Sequence, residues 1–452
     1  MGLYVATMND KVYAFDADRS GPPLWMRDFT DEMAGVTPVP ITDITNDNDL
    51  NLVGNVGIES TPVIERFPGD SGAGAIYLVA RTKEHGSYVQ RVHKLGLTDG
   101  KNLAPPVVVE ASVKGSAADA VDGMVRFDPR AGNQRPPLVL VNGTLVISWA
   151  SHEDLRPYHG WIITYDAASL RQTGVFCVTP DTADGGIWQS GRGPAVDTSG
   201  GIYFETGNGG WDGKRNFGES VLKLKTGAGG LKVEDFYTPH NYDSLNERDA
   251  DLGSTGPLLI PGTHLLICGN KEGAVFILDC DKLGGSTATD SGAVQTLALN
   301  GGRIMAGPAF WDGSSGPVLF LWSETDFPKA FRWTGHSLES APFAKGTVAS
   351  HGSPGGVLSV SSDGKKAGSG VLWATVSYGR SADHGNAPGV LHAFDAETLK
   401  ELWNSEKRPE RDRLGTLVKF VPPLVIGGKV FVPSYDNYVQ VYGLLTSGGA
   451  GH

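Results

Sequence analysis

The densest run of side chains able to do chemistry is Trp188, Gln189, Ser190 and Arg192, followed by Glu205 and Asn208. An indole such as Trp188 can stack on a sugar ring or a flat cofactor. The guanidinium of Arg192 can grip a carboxylate or a quinone oxygen through two parallel hydrogen bonds, with the Gln189 amide beside it. Glu205 and Asn208 are oxygen donors of the kind Ca2+ takes, and Glu205 is also a candidate acid or base. The competing reading is structural. Trp188 would then lock neighbouring elements together, and Asn208 would take the left-handed turn of Gly207-Asn208-Gly209.

Lys83-Glu84 and Lys271-Glu272 recur in similar places, just after an apolar, strand-like run. As functional groups, Lys83, Lys271 and Glu272 would form part of a charged ring facing a bound group. As plain turn residues they would be solvated. His152 and His159 share one loop, with Glu153 and Asp154 between them. No His-Glu-x-x-His spacing occurs, and such loop histidines read first as hydrogen-bonded supports. His159 is the candidate general base, because imidazole titrates near neutral pH. Asp43, Asn46, Asp47, Asn48, Asp49 and Asn51 are rich in oxygen donors but lack the glycine and distal glutamate of an EF-hand loop. They read as an Asx-rich loop. No Gly-x-Ser-x-Gly elbow and no phosphate-binding Gly-x-x-x-x-Gly-Lys-Ser/Thr loop is present. The three cysteines, Cys177, Cys268 and Cys280, form no Cys-x-x-Cys pair; Cys268 and Cys280 would pair only if neighbouring strands aligned them.

These residues need a scaffold, and the scaffold is written as a repeat. Tyr13-Ala14-Phe15-Asp16-Ala17 recurs as Ile163-Thr164-Tyr165-Asp166-Ala167 and as His392-Ala393-Phe394-Asp395-Ala396. More degenerate copies align Leu95, Leu224, Leu278, Phe331 and Tyr442 with the central aromatic. Successive copies lie 48 to 80 residues apart, a period near 50 with insertions. That is the spacing of a β-propeller with four strands per blade. A proline-containing strand and a Val/Ile/Leu/Tyr-rich strand precede each copy, as in Thr61-Pro62-Val63-Ile64 before Ile76-Tyr77-Leu78-Val79. These read as the inner and second strands of a blade, the Asp-Ala copy as the third, and Leu-Trp as the start of the outer strand.

Composition agrees. The chain has 62 glycines and 27 prolines in 452 residues, which opposes long helices, since glycine costs about 1 kcal/mol in a helix interior. It is 40% hydrophobic with 10 tryptophans, so it is not disordered. A net charge of −12 disfavours nucleic acid and anionic membrane as partners. No apolar run is long enough to span a bilayer.

The Tyr-x-Phe-Asp-Ala-x-x-Gly-x-x-x-Trp style of repeat resembles the tryptophan-docking repeat of pyrroloquinoline-quinone (PQQ) dehydrogenases. It equally resembles the repeats of the outer-membrane assembly lipoprotein propeller. The whole chain, roughly residues 3 to 445, is similar to secreted bacterial PQQ-like repeat proteins. The stretches Thr82–Arg91, Trp149–His152, Tyr158–Trp161, Gly186–Gly191, Thr206–Gly209 and Lys271–Gly273 carry this likeness. The resemblance implies an extracytoplasmic protein, periplasmic or secreted, that holds PQQ and Ca2+ and oxidises alcohols or sugars. It departs from the alcohol dehydrogenases in having no adjacent cysteine pair, and no Cys-x-x-Cys-His haem site is fused.

The expectation is thus an all-β, eight-bladed propeller of four-stranded antiparallel blades, with seven blades as the alternative. It would form one domain over residues 1–445, with a Gly-rich tail at 446–452. The first copy lacks its inner strand and the eighth its outer one, which suggests a missing N-terminal segment that would include any secretion signal. Function divides between the quinoprotein oxidoreductase and a noncatalytic propeller binding a saccharide or a protein. A polysaccharide lyase or hydrolase using His159, Arg192 and Trp188 is a third possibility. In each case a small molecule or saccharide is expected at the mouth of the central channel.

Overall fold

Apolar runs broken every few residues by glycine, proline and Asx turns become short antiparallel strands. A computed structural model of the chain describes residues 2–45, 52–69, 72–227, 230–299 and 301–445. Eight sheets follow one another along the sequence, with a two-stranded hairpin, Ser112–Lys114 and Met124–Arg126, between the second and third. They are the blades of an all-β, eight-bladed propeller. Blade three is representative: Val139–Val141, Thr144–Ser151, Trp161–Asp166 and Gln172–Cys177 pair in chain order.

Contacts gather the chain into two compact units. The first is Met1–Gly253 with Gly285–Ala288 and carries blades one to four. The second is Ser254–Gly284 with Thr289–His452 and carries blades five to eight. Among the described residues blade one has three strands, Gly2–Ala6, Lys11–Asp16 and Trp25–Asp28, and so has blade eight, Leu424–Ile426, Lys429–Ser434 and Tyr438–Gly443.

All eight repeat positions fall in the equivalent strand of their blade, the one before the outer strand where an outer strand exists. Leu95, Tyr165, Leu224, Leu278, Phe331 and Phe394 are buried, while Phe15 and Tyr442 are half-buried. Middle strands are covered on both faces; Thr144–Ser151 is buried along nearly its whole length. The core therefore lies between sheets. Tyr77 and Val79 of blade two pack with Leu145, Ile147 and Trp149 of blade three, each buried side chain being worth roughly 1.5–3 kcal/mol.

The aspartate of the repeat makes the next turn. Asp166 Oδ1 accepts the backbone N–H and hydroxyl of Ser169, and Asp395 Oδ1 accepts the N–H groups of Glu397 and Thr398. The chain then closes through Leu170 N–H to Asp166 O and Leu399 N–H to Asp395 O, both 2.8 Å. At the position where the resembling repeats carry glycine, Leu170 and Leu399 sit at φ +59° and +56°. Their burial holds them in a conformation L-residues avoid. In blade two glycine keeps the place. Gly100 lies at φ +65°, and an added Cβ would come within 2.6 Å of the Trp25 ring of blade one. Trp25 also donates its indole N–H to Leu97 O at 2.9 Å.

The three cysteines are buried, and none of them forms a disulfide among the described residues. Burial pushes the Cys177 thiol up to about 12. No helix among the described residues is long and apolar enough to cross a membrane.

Candidate functional site

A proline stands just before the first strand in most blades, where a missing N–H is tolerated: Pro62, Pro194, Pro257 and Pro308 are examples. In the first unit the residues ahead of that proline, and those ending each second strand, form two linked polar clusters.

The first cluster precedes blade four. Gln189, fully buried at φ +37°, is its strut. Its Nε2 donates to Arg192 O and its Oε1 accepts the Glu205 N–H, both at 3.2 Å, while its own N–H reaches Gly253 O at 3.0 Å. Glu205 ends the second strand, Ile202–Glu205, and is fully buried. Burial lowers the Arg192 pKa, and the Glu205 charge opposes that effect. Half-buried Trp188 lies under a cation. Arg135 Cζ is 5.3 Å from its ring centroid, Arg135 Nε donates to Trp188 O at 3.2 Å, and Nη2 donates to Ser190 Oγ at 3.3 Å. Burial brings the Arg135 pKa down to about 10, opposed by Glu59 and Asp251. The indole is admitted by glycine. A Cβ on Gly186 or on Gly207 would come within 3.0 Å of Trp188 Nε1.

The second cluster joins blades one to three. Arg81, in strand Gly74–Glu84, is 2% exposed. Its Nη1 lies 2.7 Å from His152 Nε2 and 4.0 Å from Glu59 Oε1, and its backbone N–H donates to Asp10 Oδ1 at 3.2 Å. Glu59 Oε1 stands 3.1 Å from the same His152 Nε2. Burial works to raise the Glu59 pKa, but His152, Arg81 and Arg135 outweigh it and hold the carboxyl low. Burial lowers the His152 pKa, with Glu59 opposing and Arg81 and Arg135 assisting. Arg135, acting on Glu59 and held on Trp188 and Ser190, links the clusters.

The sequence thus groups Trp188, Gln189, Arg192 and Glu205 as the fold does. The other expected site residues have their own partners. Both ring nitrogens of His159 are engaged: Nδ1 with Thr179 O at 3.0 Å, Nε2 with Asp119 Oδ1 at 3.1 Å. A support role fits that geometry, and no ring nitrogen remains to take a substrate proton. Asn208 donates to Asp249 Oδ1 at 2.9 Å, leaving one unpartnered side-chain oxygen. Lys83 pairs with Asp43 at 2.7 Å and lies 5.3 Å over Tyr88. It sits inside strand Gly74–Glu84 rather than after it, because Val36–Pro38 extends the pairing. Lys271 and Glu272 occupy the turn between Leu265–Gly269 and Ala274–Asp279 of the second unit. Asn46, Asp47, Asn48, Asp49 and Asn51, and the tail at 446–452, lie outside the described residues. Among the described residues no three His, Cys, Asp or Glu side chains are grouped to hold a metal ion.

Sequence reasoning missed Glu59, Arg81 and Arg135. A signal existed for two of them: each stands up to three residues ahead of the proline before a blade's first strand, as Glu59-Ser60-Thr61-Pro62 and Arg135-Pro136.

No family model matches the sequence, and no curated protein does. Solved structures do. BamB from Moraxella catarrhalis aligns over 100% of this chain and 93% of its own, at 11% identity and a TM-score of 0.53. A europium-containing methanol dehydrogenase aligns over 97% of this chain and 80% of its own, at 13% identity and a TM-score of 0.51. The quinohemoprotein alcohol dehydrogenase from Comamonas testosteroni aligns over 95% and 68%, at 13% identity and a TM-score of 0.49. The first two establish a shared fold, the PQQ-like β-propeller, and no more than the fold.

Proposed function

We propose that the Trp188–Arg135–Arg192 cluster binds a small planar anion and that the protein is an extracytoplasmic, quinoprotein-type oxidoreductase acting on alcohols or sugars. The observation that carries this reading is the Arg135 guanidinium set over the Trp188 ring, with half-buried Arg192 in the same loop as Trp188. An indole face and guanidinium forks match a flat ligand edged with carboxylate and quinone oxygens. That donor set fits PQQ. It does not supply a calcium site among the described residues, where Asn208 offers one unpartnered oxygen and no three acidic or other metal-ligating side chains are grouped. No step is therefore assigned to a metal.

A bound quinone would supply the electron acceptor for alcohol oxidation. The chain's own part is binding and orientation. Arg135 and Arg192 would hold anionic oxygens, Gln189 would keep Arg192 and Glu205 in register, and Glu205 would balance the Arg192 charge. The test is to load the protein with PQQ, with and without Ca2+, and follow dye reduction with alcohols and aldoses. PQQ-dependent reduction is expected; none from folded, PQQ-loaded protein would overturn the redox reading.

A noncatalytic scaffold is the second reading. It is favoured by the exposed apolar side chains on and beside the outer strand of blade one, Leu24, Met26 and Met33, at 69%, 48% and 99%. They would suit a protein partner. The polysaccharide lyase or hydrolase is the least favoured reading, because His159 is engaged by Asp119 and Thr179.

A further inference from the structure

His152 is a buried histidine whose two sides have different surroundings. On one side Arg81 Nη1 approaches Nε2 at 2.7 Å with its N–H directed at the ring nitrogen. A guanidinium can only donate, so Nε2 must accept, and the proton of the neutral ring then belongs on Nδ1. Glu59 lies 3.1 Å from Nε2 and would attract a proton there. The Arg81 contact is the shorter, 2.7 Å against 3.1 Å, and an N–H donated to Nε2 at that distance leaves no room for a proton on the same nitrogen. The other charges act on the same groups: Arg135 on Glu59 and directly on the ring, Asp128 on Arg81, and Asp251, Glu153 and Asp154 on Arg135. Burial, Arg81 and Arg135 keep the imidazole neutral at pH 7.

On the other side Nδ1 has no hydrogen-bond partner among the described residues, although the residue is only 2% exposed. It is not one of the sealed polar atoms either, whereas the Nδ1 of His93 is. A polar hydrogen in that setting costs free energy unless something accepts it.

We propose that His152 is a ligand-binding residue, its tautomer fixed by Arg81 so that Nδ1–H donates to a carboxylate or carbonyl oxygen of an anionic small molecule. The cationic neighbours Arg81 and Arg135 select oxygen acceptors that carry negative charge. Neutral imidazole acts here as a fixed donor rather than as a base, so the role differs from that expected of His159. The inference rests on the reading that this end of the first unit binds a small anion; it does not require redox turnover.

The test has two parts, both on the full chain. In 15N-histidine-labelled protein without ligand, the resonance that disappears in His152→Gln should be a neutral ring protonated at Nδ1 at pH 7.5. A ring protonated at Nε2, or an imidazolium, overturns the proposal whether or not any ligand binds. PQQ and, separately, oxalate are then titrated in. Movement of the Nδ1–H signal with either supports the proposal; no movement at saturating concentrations of both overturns it. If PQQ fails to bind while oxalate moves the signal, the quinone reading falls and this site stands. His152→Asn, whose amide N–H can take the place of Nδ1–H, should retain affinity better than His152→Gln. The Gln variant should lose about tenfold or more, the usual effect of removing a hydrogen bond to a charged oxygen. Equal affinity in the two variants, each shown to be folded, counts against the donor role.

Discussion

Asp10 is fully buried, with one carboxylate oxygen on the Arg81 N–H and the other without a partner. Burial raises its pKa to about 8, against the Arg81 contributions. The folded protein therefore keeps a proton that the unfolded chain releases near 3.9. Stability contributed by this group is full below that pH and is lost as pH climbs through about 8. Asp10→Asn keeps the acceptor oxygen and removes the titration. It should stabilise the protein at pH 7 by about 2–4 kcal/mol and flatten the stability profile between roughly pH 4 and 8, read from denaturant midpoints. Gln189→Ala should do the reverse. It strips the Glu205 N–H of its acceptor in a sealed position and should cost about 1–3 kcal/mol at any pH. At this scale the sequence was half legible. Trp188, Gln189, Arg192 and Glu205 are close enough along the chain to be seen together. Arg81 and Glu59 are single charges well apart along blade two, and only the fold brings them to His152 of blade three.

Strands and turns were the most legible level, for a physical reason. Each blade repeats one problem: a buried strand must turn sharply into the next. The Asp-Ala step solves it with an Asx turn, so the pattern persists where the rest has drifted. What the pattern did not reveal is how the turn survives without glycine; Leu170 and Leu399 remain in the left-handed region because both are buried. Gly100 gives the converse test. An alanine there takes on φ +65° and meets the Trp25 ring at 2.6 Å. Gly100→Ala should destabilise the protein by about 2 kcal/mol or more, part from the backbone conformation and part from the clash. Adding Trp25→Leu should recover only the clash part. A double-mutant cycle measures the split, and strict additivity would mean that the two residues do not dock.

At the scale of the whole molecule, the glycine content and the repeat led to an eight-bladed propeller, and the sheets bear that out. The structural likenesses include a BamB and a methanol dehydrogenase at 11% and 13% identity. Function must then be argued from the site, because one fold hosts unrelated activities. The proposed site holds a planar anion on Arg135 and Arg192, beside Trp188. Its most direct test is calorimetric titration of the whole protein with PQQ. One site of micromolar or tighter affinity is expected, weakened about tenfold or more by Arg135→Gln and by Trp188→Leu, a factor worth ~1.4 kcal/mol. No heat of binding at micromolar PQQ, or unchanged affinity in both folded variants, would contradict it.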